Sequence, residues 1–418
     1  MSSHRLLELR PAIRPDLRIA RPLRRGAAVV HLVHDPVGGR QLEIGPKEHF
    51  IIARLDGTRT LAEVGEEYAQ HFRARLGEPQ WQQMMGLLYT RGLLVDAPVP
   101  VPPKPAAPPR SGLLSGRAKL VADAPALLDA LHHATGFARR RAVLAPLLAL
   151  VAALLVAVAV QLPTLIDETG RLADNPVALF AAGTLLWTSL ALHELAHGLV
   201  GRAYGGRIGE IGLRWRLPMT YLYCEVEDVR FFARRRDQIV TAAAGAIANL
   251  VFLLPFYPAW ALLPAHAQAR PFLGGLLLLG TAVALGNLLP LPPLDGYKAL
   301  GYALDTLQLA TESRRFAAVA VRAAIRRDRT ELRRYPRRLR LVHGGYALGC
   351  AALAAGLLAA ASALLAAWFG PLAGWLPAAA VAAALLLWAA GRALRALRER
   401  PSESYNSAGD VMSARREH

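Results

Sequence analysis

Cysteine is nearly absent from this chain: Cys224 and Cys350 are the only two in 418 residues. Two thiols so far apart give no disulfide framework and no zinc–thiolate site. Lysine is scarce too, occurring only at Lys47, Lys104, Lys119 and Lys298, so a formal net charge of +18 rests almost entirely on arginine. The arginines flank apolar segments, as in Arg139-Arg140-Arg141, Arg234-Arg235-Arg236 and the run from Arg392 to Arg400. That is the positive-inside pattern of membrane topology. No basic motif interleaved with aromatics is present, so nucleic acid is not an expected partner. The opening MSSHRLLELRPAIRPDLR has no uninterrupted apolar core. No cleavable signal peptide is therefore expected, and roughly the first 135 residues are expected to lie in the cytoplasm.

What is abundant is apolar sequence, at 54% of residues. The chain is too long and too apolar for one soluble domain. Six segments approach the ~20 residues that a bilayer demands: Ala142–Leu162, Pro176–Ala203, Ile239–Leu263, Pro271–Leu291, Leu341–Phe369 and Pro371–Ala390. The expected fold is mainly α: a polytopic membrane protein of about six transmembrane helices, lying in the lipid bilayer with both termini cytoplasmic. Between the second and third segments, Ile208 to Phe232 alternates and is rich in aromatic and β-branched residues, which predicts a small β-hairpin. An edge strand there suits either β-augmentation by an extended peptide or simple cover for a site.

The first 97 residues read as a separate α+β module. Ala27 to Val33 and Arg40 to Ile44 are strand-like runs around Asp35-Pro36-Val37-Gly38-Gly39, a hairpin signal. Pro46 opens a helix through about Leu55, and Asp56-Gly57 breaks it. Thr60 with Glu63 forms a capping box for a second helix ending near Arg75. Gln80 to Arg91 predicts a third helix and Gly92 to Val95 a final short strand. Together they make a winged helix-turn-helix-like domain. Residues 98–112 form a proline-rich, semi-rigid linker, and residues 113–141 predict an amphipathic juxtamembrane helix. The membrane core spans residues 142–303, a basic cytoplasmic loop 304–340, two last transmembrane helices 341–395 and a disordered tail 396–418.

The chemistry concentrates in His193-Glu194-Leu195-Ala196-His197, inside an apolar helix-length segment. An ionisable side chain at membrane depth costs a few kcal/mol and marks function. Positions i and i+4 share a helix face, so His193 and His197 can both ligate one zinc ion. Glu194 stands beside them, where it can take a proton from a metal-bound water. Two histidines leave a catalytic zinc one protein ligand short. Asp295 is the candidate third ligand, in Asn287-Leu288-Leu289-Pro290-Leu291-Pro292-Pro293-Leu294-Asp295-Gly296, where prolines break the fourth segment. Irregular backbone at such depth is tolerated only inside protein or at a cavity. Gly245 and Asn249 lie at i, i+4 on the third segment, a spacing for close helix packing. Asn249 and Asn287 each suit either a substrate-binding, carbonyl-polarising role or plain packing.

The HELAH helix, the GxxxN of the next segment and NLLPLPPLDG resemble the site-2 protease family of intramembrane zinc metalloproteases, over roughly Ala142 to Tyr302. The resemblance implies zinc held by His193, His197 and Asp295, with Glu194 as general base. In that family a proline usually follows the GxxxN glycine; here Ala246 stands there. The N-terminal module resembles PqqD-like peptide-recognition domains through PAIRPDLRIARP (11–22), Asp35-Pro36, Gly45-Pro46-Lys47-Glu48 and LDGTRTL (55–61). Such domains bind the leader of a ribosomally made precursor. The fusion is similar to peptide zinc metalloproteases of bacterial peptide maturation and export, which implies a multi-pass protein of the bacterial cell membrane that removes a leader. Two other readings stand beside this one: a regulatory protease that releases a membrane-tethered factor, and a non-catalytic peptide-binding receptor or assembly factor.

Overall fold

The computed structural model describes residues 6–98, 112, 114–216 and 219–398. The linker expected at 98–112 and the tail expected at 396–418 lie almost wholly outside the described residues. Contacts divide the chain into two compact units, Met1–His343 and Gly344–His418.

The N-terminal module is built on four short strands: β1 (Arg18–Ile19), β2 (Leu23–Arg25), β3 (Ala28–Asp35) and β4 (Arg40–Ile44). β3 is the hub, pairing antiparallel with the other three. Three helices follow, α1 (Pro46–Ile52), α2 (Leu61–Phe72) and α3 (Glu78–Thr90). The capping box forms as its sequence requires: Glu63 N–H donates to Thr60 Oγ1 at 3.2 Å, and Thr60 N–H to Glu63 Oε2 at 2.7 Å. α2 ends at Phe72 rather than Arg75, because Arg73 turns left-handed with φ 51°. Leu61, Val64, Trp81 and Leu88 close the core of this module. The final strand expected at Gly92 to Val95 is only an isolated bridge, Ile13 to Leu94. β1 and β2 were not expected: runs of two and three residues carry no readable period.

The juxtamembrane helix is corrected by the structure. Its first part is β5 (Ser115–Lys119), followed by α4 (Ala124–Ala134) and a 3-10 turn, Gly136–Arg139. β5 pairs antiparallel with β6 (Ile208–Arg216), which pairs with β7 (Met219–Val226). The expected hairpin therefore exists as two strands of a three-stranded sheet. Its order, β5-β6-β7, leaves β7 at an edge. Short-range periodicity cannot reveal that a strand ~90 residues away supplies the missing ladder partner of β6.

Next come α5 (Arg141–Val160), α6 (Leu162–Ala173) and α7 (Pro176–Ala203). Pro176 occupies the first turn of α7 and Asn175 caps it, accepting from Ala178 N–H at 3.1 Å. The third apolar segment divides at Pro255 into α8 (Arg235–Leu253) and α9 (Phe256–Leu262). α10 (Arg270–Asn287) stops short of the expected Leu291, and α11 (Asp295–Ala303) begins beyond the prolines. The stretch expected to be a loop at 304–340 is largely helical, with α12 (Leu309–Arg326) and α13 (Thr330–Arg333). Alanine and arginine are strong helix formers, and they outweigh the charge that suggested a loop. α14 (Arg337–Phe369) and α15 (Leu376–Arg398) complete the chain.

Among the described residues, four helical stretches are long and apolar enough to cross a membrane: Arg141–Val160, Pro176–Ala203, Arg235–Leu262 and Arg337–Ala367. The Arg235–Leu262 span is the central one, with 44% of its apolar window buried inside the protein against 17% for each of the two before it. Where α9 ends and α10 begins, Glu168 of α6 accepts from Trp260 Nε1 at 2.5 Å and pairs with Arg270 at 2.7 Å. Near the start of α8 the N-terminal module is joined to the helical body. Arg24 N–H donates to the Asp305 carbonyl at 2.7 Å, Leu307 N–H to the Arg24 carbonyl at 2.8 Å, and Arg18 pairs with Asp228 at 3.0 Å.

Candidate metal centre

His193 and His197 project from the middle of α7, and Asp295 opens α11. All three are buried, at 3%, 9% and 5% exposure. His193 Nε2 and His197 Nε2 each lie 2.9 Å from Asp295 Oδ2 and 3.2 Å from each other. The donor set fits one metal ion. A triangle of these sides has a circumradius of about 1.7 Å, so a point slightly off its plane lies ~2.0–2.1 Å from all three atoms, an ordinary metal–ligand distance. His197 Nδ1 donates to the Thr241 carbonyl at 2.7 Å. In the neutral ring this leaves Nε2 as a bare lone pair aimed at a carboxylate oxygen and a second ring nitrogen. Lone pairs converging in a buried space call for a shared cation.

Neighbours fix the three side chains. Lys298 Nζ, one turn along α11, donates to Asp295 Oδ1 at 2.8 Å and leaves Oδ2 for the histidines. Gly245 of α8 lies flat against His193: a Cβ there would fall 2.4–2.5 Å from three atoms of the ring. Asn249, one turn on, is buried with its Nδ2 3.2 Å from His193 Nδ1 and its Oδ1 accepting from Ser189 Oγ at 3.0 Å. The amide can present either atom. Turned over, Oδ1 accepts from Nδ1–H and frees Nε2 as a ligand. Asn249 therefore stands behind His193 rather than at the cavity wall. Asn287 ends α10, half-buried, and does not line the cavity.

The cavity in front of the triad is about 210 Å³ and is lined by Glu194, Cys224, Lys298 and Tyr302 among others. Glu194 Oε2 accepts from the Cys224 backbone N–H of β7 at 3.1 Å. The edge strand thus reaches the glutamate directly. It comes this close because α7 carries Gly198 and Gly201, whose Cβ positions would fall 2.8 Å from Cys224 Sγ and 2.4 Å from Val226. Burial, with Glu194 and Glu225 nearby, pushes the Cys224 thiol up to about 12. It stays a neutral thiol at physiological pH, unsuited to nucleophilic work. Sequence reasoning missed the roles of Lys298 and of the Cys224 amide. Lys298 carried a signal in hindsight: it is the lone lysine of the helical body and sits at i+3 from Asp295. A second cleft, about 490 Å³, lies between His34, Gly39 and Gln41 of the β3–β4 hairpin and Val226–Phe231, sharing Val226, Val229 and Tyr302 with the first. No protein-family model, curated protein or solved structure matches this chain.

Proposed function

We propose that the chain is an intramembrane zinc metallopeptidase that hydrolyses a peptide bond in a small precursor near the cytoplasmic face of a bacterial cell membrane, removing its leader. The observation that carries this reading is the convergence of His193, His197 and Asp295 on one point, with Glu194 opening onto the same cavity. Two imidazoles and one carboxylate suit Zn²⁺, and this three-ligand set leaves a position for water and substrate. A zinc ion there supplies a bound water of near-neutral pKa and polarises the scissile carbonyl. Glu194 takes up the water proton on its carboxylate and returns it to the leaving amine. The Cys224 amide holds one oxygen of that carboxylate, so the other is left to move the proton. Asn249 and Ser189 hold the His193 ring, and the Thr241 carbonyl holds that of His197.

A substrate must arrive extended, because a helix hides its carbonyls in i to i−4 bonds. The edge of β7 can receive such a segment by strand addition. The shared lining of the two clefts supports a path from the N-terminal hairpin to the metal, and the N-terminal module acts as a PqqD-like winged-helix captor of the leader. In this reading the six apolar segments all cross the bilayer and both termini face the cytoplasm.

The test compares membranes carrying wild type and Glu194→Gln in the native host, with small peptides scored by mass spectrometry and metal by elemental analysis. Both proteins should hold one zinc per chain, and a shortened peptide should appear only with the wild type, the variant being slower by at least ~10²–10⁴-fold. Equal peptide pools, with a deletion phenotype restored by Glu194→Gln, would overturn hydrolysis in favour of a peptide-binding receptor.

A further inference from the structure

Away from the metal, a cavity of about 370 Å³ lies on the seam between the N-terminal module and the helical body. Its size falls within the ~300–1,000 Å³ range of small-molecule sites. Its charged lining is Arg21 and Arg24 from the module, and Arg235, Arg338 and Asp305 from the body. Four guanidiniums face one carboxylate. Asp305 is held by Arg235 and lies 3.5 Å from Arg21, while Arg24 and Arg338 have no ion-pair partner among the described residues. Three buried polar atoms on this lining lack a hydrogen-bond partner: Arg21 Nε, Asp305 Oδ1 and Thr306 Oγ1. Thr306 is only 2% exposed, so water is not an easy substitute. Of the three, Arg21 Nε and Thr306 Oγ1 can donate, whereas Asp305 Oδ1 is an acceptor that faces Arg21 at 3.5 Å. Buried polar groups are normally satisfied, and two unmet donors in a pocket of four guanidiniums signal an absent anionic partner.

We propose that this cavity binds a phosphate group, and that the bound phosphate clamps the N-terminal module onto the body. The chemistry fits: guanidiniums bind phosphate oxygens bidentately, and the Thr306 hydroxyl supplies one further donor. The position fits as well. Arg235 begins α8 and Arg338 lies in the first turn of α14, so two membrane-length helices start at the cavity rim. Where those helices enter a bilayer, the rim lies at headgroup depth, and a basic pocket there takes anionic lipid headgroups. Free phosphate offers the same oxygens. The clamp follows from connectivity. Arg24 already exchanges two backbone hydrogen bonds with Asp305 and Leu307, just past the helix that begins with Asp295. A phosphate shared by Arg24 and Arg338 adds a side-chain tie across the same seam. None of this depends on hydrolysis at the metal.

The test uses the full-length protein, delipidated in detergent and in parallel embedded in nanodiscs of phosphatidylglycerol or phosphatidylcholine. Thermal unfolding is read in each, and the detergent sample is titrated with inorganic phosphate against chloride at equal ionic strength. Stabilisation by phosphatidylglycerol alone assigns the site to a lipid headgroup. Stabilisation by inorganic phosphate as well assigns it to phosphate from either source. In each case Arg24→Gln or Arg338→Gln should weaken the apparent affinity by about tenfold or more, as loss of a charged hydrogen bond predicts. No stabilisation by either anion, or an unchanged response in both variants, overturns the proposal. If the arginine variants do not elute as folded protein, Thr306→Val keeps every charge and the side-chain volume. A few-fold weaker response is then expected, and an unchanged one places the anion elsewhere and refutes the site.

Discussion

The packing of Gly245 on His193 makes Gly245→Ala a sharp perturbation of the metal centre. The added Cβ would fall 2.4–2.5 Å from three atoms of the imidazole. Unstrained contacts between carbon atoms lie at ~3.5–4.0 Å, so ring or helix must give by about 1 Å. The ring has no free direction: Asn249 holds it from behind, and Asp295 and His197 face it in front. Overpacking of this kind costs ~1–3 kcal/mol in a well-packed core. The larger effect is on ligation, because a supporting contact that fixes a ligand is worth about 10–100-fold in metal affinity. A displacement of ~1 Å near the reacting atoms costs about 10²-fold in rate. Gly245→Ala should therefore elute as folded protein, lose zinc to a chelator at a concentration at least ~10-fold lower than wild type does, and cleave about 100-fold more slowly. Gly183, on the same helix as His193, has open space around its Cβ position, so Gly183→Ala is the control that should change neither metal nor rate. If Gly245→Ala keeps its zinc as tightly as Gly183→Ala does, the close packing on His193 is not what sets the ligand, and the reasoning fails.

Lys298→Ala frees the outer oxygen of Asp295, and chelator titration should show zinc affinity reduced by about 10–100-fold with the ion still bound at saturation. Thr60→Ala removes one half of the capping box and should destabilise α2 by ~1 kcal/mol, seen as faster amide exchange over residues 61–72 in the full chain. Burial favours the neutral form of Asp35, but the Gly38 backbone and the Arg14 guanidinium prevail and hold its carboxyl below the usual range. A depressed carboxyl stabilises the fold above its unfolded pKa of ~3.9 and loses that contribution as pH falls through the lowered value. Exchange protection of β3 should accordingly be flat above about pH 4 and fall below it; protection that falls first between pH 5 and 7 would contradict this.

The parts of the fold that were legible in the sequence are those set by local rules. The β3–β4 hairpin, the Thr60–Glu63 cap, the Asn175-Pro176 start of α7 and the proline break before Asp295 depend on residues within one or two turns of each other. The same holds for His193 and His197, whose i, i+4 spacing fixes a shared face whatever the tertiary structure. Illegible were the features that need a distant partner. Ser115–Lys119 has no strand pattern of its own and is a strand only because β6 offers an unpaired edge. Residues 304–340, expected as a basic cytoplasmic loop between membrane segments, are largely helical because alanine and arginine favour helix there. For Asn249 the sequence leaves a substrate-binding role and plain packing both open, since it shows the spacing of an amide but not which atom it meets; in the structure the amide lies against His193.

The two contacts that escaped sequence reasoning turn out to divide labour between the two carboxylates at the centre. Asp295 and Glu194 stand at one cavity with the same kind of side chain, yet under the proposed function one would hold a cation and the other would move a proton. Each has one oxygen already engaged: Oδ1 of Asp295 by the Lys298 ammonium, and Oε2 of Glu194 by the Cys224 backbone amide. The partner differs in kind. The Lys298 ammonium pins Oδ1 of Asp295 and leaves Oδ2 turned to the two histidines. The Cys224 amide is neutral and fixes one oxygen of Glu194 in place, which in the proposed reaction leaves the other oxygen to accept and release the proton. Because that amide belongs to the edge strand β7, any segment that pairs with the edge presses on the strand that aims Glu194. Under the proposed function substrate docking and placement of the base would be one event, and Cys224→Pro, which removes the N–H, should cost cleavage without costing zinc.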